Sequence, residues 1–397
     1  MKNKLVVMFL TFVILILITP FIFSKLMNAK YNQMLDNLRN EGINIKILKD
    51  KSSYITSDKV LEVTIPDKIL KTNGIIENVT LNVETQFKNL PVTNVLFIGN
   101  VKNINLSQQY QNIQKDINQF AKKYIKFVVT TPNFRDYSYK FDDIKVNKTP
   151  QIVVLGISGL LKKSDILKNK ILITDMYLKD KKALIEIKNF KNSFEGNEKN
   201  YFTKTNFNVD IDLNRLKVQI DNVFSKTKTL IDQKTKIDTE IGFDQLDIVN
   251  MLNVKKFDLN LKLDNLDTKT IMNLSKLNKN EREKELTQIF EKGFNVGLNT
   301  DLKNITFQKQ KLGGLHLKFS AKILPTNNIQ EKLQNNDFSF VNAKLNLKTT
   351  PEIANIVMNL YPQSAFLFAL AKKTNGEVIL DLEFKNGKLY SEGQLVK

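Results

Sequence analysis

No cysteine occurs in the chain, so disulfides, thiolate metal sites and thiol catalysis are excluded. Histidine occurs once, as His316, and the pattern around it puts its side chain on the wet side of a strand. That makes it a solvated histidine, not a triad member or part of a histidine-rich metal site. Arginine is nearly absent: Arg39, Arg135, Arg215 and Arg282 are the only four. Base readout and bidentate phosphate clamps favour arginine. No nucleic-acid motif accompanies the charge of +19, so no nucleic-acid partner is expected. The lysines are spread from end to end, as a lysine- and asparagine-rich coding bias would leave them, giving a solvated basic surface. An anionic partner such as lipid headgroups is the competing explanation.

What is present starts with one long apolar run. "LVVMFLTFVILILITPFIF", Leu5 to Phe23, carries no charge. As a helix it is about 28 Å long at about 1.5 Å per residue, close to the hydrocarbon thickness of a bilayer. A cleaved signal peptide has a shorter apolar region and a small-x-small cleavage site. "SKLMNAK" offers none, so residues 1–24 are expected to be an uncleaved transmembrane signal-anchor. Lysines flank the run on both sides, which leaves orientation a near tie under the positive-inside rule. The very short N-terminal flank resembles that of a secretory signal, which exports the chain beyond it. No second run approaches this length.

After the anchor, Met27, Tyr31, Met34, Leu35 and Leu38 keep helical spacing until Gly42, which predicts a juxtamembrane helix over 25–42 serving as a spacer. Strands then dominate. In "FNVDIDL", Phe207, Val209, Ile211 and Leu213 alternate strictly with Asn208, Asp210 and Asp212. The same two-residue period recurs at Val79–Val83, Phe257–Leu263, Leu315–Ile323 and Val341–Leu347. Such alternation fits an antiparallel sheet with one solvated face, whereas a buried parallel sheet shows continuous apolar runs. Asn386-Gly387 between two strand-like runs predicts a two-residue type I′ hairpin.

Three helices are expected to interrupt the strands. Ser107 can cap one near 108–126, with Tyr110, Ile113, Ile117, Phe120, Ala121 and Tyr124 as its apolar stripe. Asp267 can cap a second within a helical segment over 266–292, broken near Asn278 to Asn280. Thr350-Pro351 is a strong start for a third near 351–372, kinked at Pro362. Its stretch Ala365 to Ala371 is almost wholly apolar and must pack deeply or meet something greasy, deep packing being the expectation. "LNLKLDNLDTKTIMNL" and "AKLNLKTTPEIANIVMNL" both read strand, turn, capped helix, as a repeated unit would.

The expected fold class is therefore α+β and β-dominated: a transmembrane helix, then a large antiparallel-sheet region with a few covering helices. The β-rich regions are 43–265 and 293–397.

Residue patterns that carry chemistry are few. "GISG" at Gly156 to Gly159 and the pair Gly313-Gly314 lack the lysine and strand–helix setting of phosphate loops and read as turns. Asp210 with Asp212, and Asp142 with Asp143, lack a third ligand or a calcium-loop glycine and read as solubilising charges. No serine is spaced with a base. The sequence thus names no catalytic, cofactor-binding or metal-binding residue, and a non-enzymatic role is expected.

The layout resembles the YdgA-like family of bacterial envelope proteins, whose function is largely undefined. "INIKILKDKSSYITSDKVLEVTI" is similar to the family's early strand pair, with Lys51, Ser52, Ser53, Tyr54 and Ser57 in the linking stretch but without its glycine and tryptophan. "FEGNEKNYFTKTNFNVDIDLNRLK" resembles its mid-chain strand, and "EFKNGKLYSEGQLVK" its closing hairpin with Gly393. The resemblance implies an inner-membrane anchor with the bulk of the chain in the periplasm.

The expected function is a structural or interaction role in the cell envelope, with the apolar strand faces covered by the chain's own helices or a second sheet, since self-covered sheets are the commoner arrangement. Lipid binding or transfer in an apolar sheet groove is the alternative. The partners would be the inner membrane and either envelope proteins or lipid.

Overall fold

A computed structural model describes residues 25–40, 42–52, 56–66, 78–88, 95–105, 111–130, 136–147, 149–163, 166–197, 199–214, 216–274 and 287–396. The expected span at Leu5 to Phe23 lies outside them, as do Ser107, Tyr110 and the expected break near Asn278. No helix among the described residues is long and apolar enough to cross a membrane. The protein is β-dominated and antiparallel, as the alternation predicts. It divides into two compact units: Met1–Val146, Val153–Ser164 and Ile171–Ile173 form the first, and Asn147–Ile152, Asp165–Lys170 and Thr174–Lys397 the second. The division falls near residues 147–174. The strands that flank the segment 266–292 pair directly with each other.

In the first unit, β1 (Asn44–Ser52), β2 (Thr56–Ile65), β3 (Val79–Lys88), β4 (Val95–Asn105), β5 (Lys126–Thr130) and β6 (Asp136–Phe141) each pair antiparallel with the next. β7 (Ile144–Val146) and β8 (Gln151–Leu155) come next, and β9 (Ser158–Lys163) returns to pair with β6. Helix α1 spans 25–40. Met27, Tyr31 and Leu35, four residues apart on one stripe, are buried against Ile45, Leu61, Phe87, Phe97, Val129 and Tyr137. The expected spacer is thus a core element. It stops where predicted: Gly42, at φ 88, donates to Arg39 O at 2.9 Å and Ile43 donates to Leu38 O at 3.1 Å. That is a Schellman closure, which needs a left-handed residue best supplied by glycine.

Helix α2 (Gln111–Tyr124) buries Ala121 against Val83 and Val101. On β3, Leu81, Val83, Thr85 and Phe87 share one side, the first two near α2 and Phe87 near α1, so both helices lie on the same face of the sheet. Lys59 falls on the apolar parity of β2 with Leu61 and Val63. It is 5% exposed, with its Nζ 2.8 Å from Asp50 Oδ2 and over the Tyr31 and Phe87 rings.

β10 (Leu167–Lys179) precedes the second unit's main sheet. There β11 (Leu184–Gly196), β12 (Asn200–Leu213), β13 (Leu216–Ile231), β14 (Lys234–Ile248), β15 (Leu252–Asp267), β16 (Phe294–Phe307), β17 (Gln310–Ile323) and β18 (Val341–Thr349) pair in chain order, all antiparallel. β19 (Lys372–Thr374) and β18 both pair with β20 (Glu377–Lys385), which turns into β21 (Lys388–Ser391) and then β22 (Gln394–Leu395). Asn386 and Gly387 sit at φ 53 and φ 73, the two left-handed positions of the predicted hairpin.

Helix α3 (Thr268–Leu274) starts where expected: Asp267 Oδ2 accepts from the Thr270 N–H at 3.1 Å and from its hydroxyl at 2.8 Å. Helix α4 occupies 287–292, and α5 is Ile329–Gln334. The Thr350 side chain caps α6 (Pro351–Leu360), with Pro351 at the first turn. Pro362 breaks the expected third helix outright instead of kinking it. A second helix, α7 (Ser364–Ala369), succeeds it, and strand β19 begins at Lys372 inside the range expected to be helical. Both similar segments, ending at Leu274 and Leu360, fold as strand then capped helix.

Candidate functional site

Cross-strand register in the second unit sorts side chains into two contrasting faces. One rung runs Ser193, Lys204, Lys226, Glu240, Asn260, Asn299, Lys318, Asn346, Asp381 across nine strands, and every member is polar. The next rung is Phe194, Thr203, Thr227, Thr239, Leu261, Leu298, Phe319, Leu345, Leu382, apolar or hydroxylated throughout. Further along, Ile187, Val209, Ile220, Leu246, Val254 and Ile305 form one rung, and Ile185, Ile211, Val218, Ile248, Leu252 and Phe307 another.

Between the two halves of this apolar face a line of bulges crosses the sheet. Asn189, Asn222, Lys256 and Asn304 take φ 56, 50, 67 and 52 at neighbouring levels of β11, β13, β15 and β16. Each bulge adds a residue to its strand, bends it and raises its twist. Asparagine suits three of them because its short side chain tolerates the left-handed region. An aromatic band lies along this line, with Phe190 and Phe207 ring centres 6.1 Å apart and Phe243 and Phe257 5.3 Å apart.

What covers the apolar face is limited to its margins. At one end α3, α4 and α5 close over Leu266, Phe294, Ile323 and Phe340, with Ile289 and Ile329 inserted from the helices. Along β18 and β20, Leu347, Leu380 and Leu382 lie under Leu367, Phe368 and Leu370. The described helices of this unit pack at these two margins and not on β11 to β13 or the rungs past the bulge line. Ile185 is 41% exposed and Phe307 40%; of the last two rungs only Val254 is buried. Phe207, Val209 and Ile211 are half-buried and Leu213 exposed. The expected cover over "FNVDIDL" is therefore not supplied by the described helices of its own unit.

The polar face pairs its own charges. Lys188 bridges Glu186 at 2.8 Å and Asp210 at 2.9 Å, and those two hydrogen bonds raise its pKa. Lys226 meets Glu240 at 2.7 Å, and Lys217 meets Asp212 at 3.3 Å. Asp210 and Asp212 are thus ion-pair partners of lysines. His316 lies on this wet face as predicted, half-exposed, with Nδ1 2.7 Å from Asp301 Oδ1.

Two glycine readings divide. Gly156, at φ 64, sits in a turn, where its N–H donates to Asp143 Oδ1 at 3.0 Å, a role for Asp143 that charge alone does not announce. Gly313 and Gly314 are not a turn but part of β17, and Gly313 takes φ 92 beside a register shift. Among the described residues no group of three or more histidine, aspartate and glutamate side chains could hold a metal ion. A depression of about 480 Å³ on the first unit is lined by Lys49, Lys51, Lys59, Asp58, Glu84 and Gln86 among others. Gln86 donates to Asp58 and Lys102 pairs with Glu84, so this is a mixed polar surface without a nucleophile–base pair.

Comparison with protein-family models, with curated proteins and with solved structures finds no match.

Proposed function

We propose that this chain is a membrane-anchored protein of the bacterial cell envelope, YdgA-like in layout, whose second unit carries lipid acyl chains on its apolar face. In this reading the run Leu5 to Phe23 is the inner-membrane anchor and the bulk of the chain lies in the periplasm. The observation that carries the reading is the pair of six-member apolar rungs on which no described helix of the same unit packs. Soluble surfaces seldom leave contiguous apolar patches beyond a few hundred Å² without a partner. Six strands about 4.8 Å apart make a face about 24 Å wide, against about 15 Å for one leaflet of hydrocarbon. An acyl methylene that the face removes fully from water is favoured there by about 0.8 kcal/mol relative to water. No enzymatic step is invoked, and no cofactor is needed.

The rival is the structural or interaction role, in which a protein partner covers the same face. Photo-crosslinking in cells separates the two. A photoreactive phenylalanine analogue placed at Ile211 or Leu261 in the full chain should yield phospholipid adducts, while one at Asp210 or Lys262 on the polar face should not. Protein adducts at Ile211 and Leu261 would transfer the proposal to the interaction role. Lipid adducts of equal yield from both faces would remove the acyl-chain reading.

A further inference from the structure

The elbow between α6 and α7 presents a second apolar surface, separate from the sheet face. Leu360 is 69% exposed, Tyr361 65% and Phe366 58%, so three large apolar side chains stand out from one short helical hairpin. No residue of α7 is buried, although the composition of Ala365 to Ala371 predicts deep packing. Leu367 and Phe368 hold the hairpin to the sheet, which leaves Phe366 on the outer side. Between Glu352 and Glu377 there is no acidic residue, while Lys372 and Lys373 come after α7 and are exposed. A protruding apolar tip, a tyrosine whose ring is largely exposed and lysines in an acid-free stretch match the headgroup zone of an anionic bilayer.

We infer that the α6–α7 elbow is a membrane-contact element that seats Leu360, Tyr361 and Phe366 at the interface of an anionic lipid surface. Removal of three such side chains from water favours the contact, and the pull of anionic headgroups on the exposed lysines that follow α7 in sequence adds to it. A single contact of this size binds weakly on its own. On a chain held at a bilayer by its N-terminal run, the bilayer is at high effective concentration and the contact is populated. The contact does not depend on whether the sheet carries acyl chains.

The chain contains no tryptophan, so one introduced indole reports without background. Full-length Leu360→Trp and Phe366→Trp proteins would be reconstituted into phosphatidylethanolamine–phosphatidylglycerol vesicles with brominated acyl chains, beside Lys181→Trp as a reference in an exposed turn. The elbow indoles should show blue-shifted emission and a marked loss of intensity with brominated lipid, both larger than for the reference. Loss of that quenching in vesicles of zwitterionic lipid, or on exchanging Lys372 and Lys373 for glutamine, would support the charge assignment. Emission from the elbow indoles that matches the reference would overturn the inference. A blue shift without bromine quenching would also overturn it, since protein rather than lipid would then cover the tip. Neither result bears on the crosslinking of Ile211.

Discussion

The Tyr31 hydroxyl lies 2.7 Å from Thr85 Oγ1, and both side chains are buried. This bond joins the helix next to the apolar run to the third strand of the first unit, so the run leads into a packed domain and not into a loose stalk. Tyr31→Phe should destabilise the first unit by about 1 kcal/mol, the net value of a buried hydrogen bond. Burial pushes the Tyr31 phenol up to about 12 from 10.0. A raised pKa means that the neutral form is favoured in the folded state. Its contribution is complete below about pH 10 and is lost as pH rises through about 12. Urea unfolding followed by circular dichroism should show a steeper alkaline decline for the native chain than for Tyr31→Phe.

Lys59 and Asp50 form a contact that carries charge into the core of the first unit. Removing the carboxylate strands the ammonium beneath α1. Asp50→Asn should cost about 1–3 kcal/mol, below the full penalty of a fully buried pair because Asp50 is partly exposed. Lys59→Met keeps the volume and removes the charge, so its loss should be smaller. Thermal unfolding of the two variants side by side checks the order, and the opposite order would refute this account of the pair.

Asp267 joins β15 to α3 and also holds Lys292 of α4 at 2.8 Å. The Lys292 ammonium, first, and the Thr270 donors hold its carboxyl down at about 2, against an ordinary 3.8. A depressed pKa stabilises the fold above the unfolded value and ceases to do so as pH falls through the folded one. The window is therefore about pH 4 down to pH 2. Asp267→Asn should lose about 1 kcal/mol at neutral pH, after allowance for solvent screening, and should flatten the acid limb in that window. Urea midpoints of the two chains across that pH range check both effects.

Two strand glycines should respond oppositely to alanine. A Cβ on Gly242 would lie 2.3 Å from the Phe257 carbonyl oxygen and 2.6 Å from the Phe224 ring, whereas one on Gly297 meets only Lys262 Cβ at 3.6 Å. Gly242→Ala should cost about 1–3 kcal/mol, and Gly297→Ala should stay within about 0.5 kcal/mol of the native chain. Denaturant midpoints of the two variants test the pair.

Much of the fold is legible in local signals. The alternation from Phe257 to Leu263, the cap at Thr350-Pro351, the stop at Gly42 and the Asn386-Gly387 turn each act through neighbours in sequence, and each folds as read. The bulge line is also written in the sequence, in a subtler way. Apolar positions in β11 are odd at Ile185 and Ile187 but even at Phe190 and Phe194. In β15 they are even at Leu252 and Val254 but odd from Phe257 to Leu263. Each phase slip marks one inserted residue, and from β11 to β16 only β12 keeps a single phase.

Other features depend on tertiary packing and carry no local mark. The depth at which α1 is buried is one, since an amphipathic spacer and an amphipathic core helix share one pattern. The division near residues 147–174 is another, because strands continue across it. The candidate site was half legible. The apolar parity was plain, but whether anything lies over it depends on where distant helices go. Lys59 offered a clue, standing on the same parity as Leu61 and Val63.

From β11 to β18 every strand lies beside its predecessor, and some links are only two residues long, such as Asp232-Gln233 and Gln308-Lys309. Sheets closed by such near-neighbour pairings have low contact order and avoid the loop-closure entropy that slows Greek-key topologies. A chain that emerges N-terminus first can therefore lay down this sheet one hairpin at a time, each new strand docking on an edge already formed, with no wait for the C-terminus to arrive.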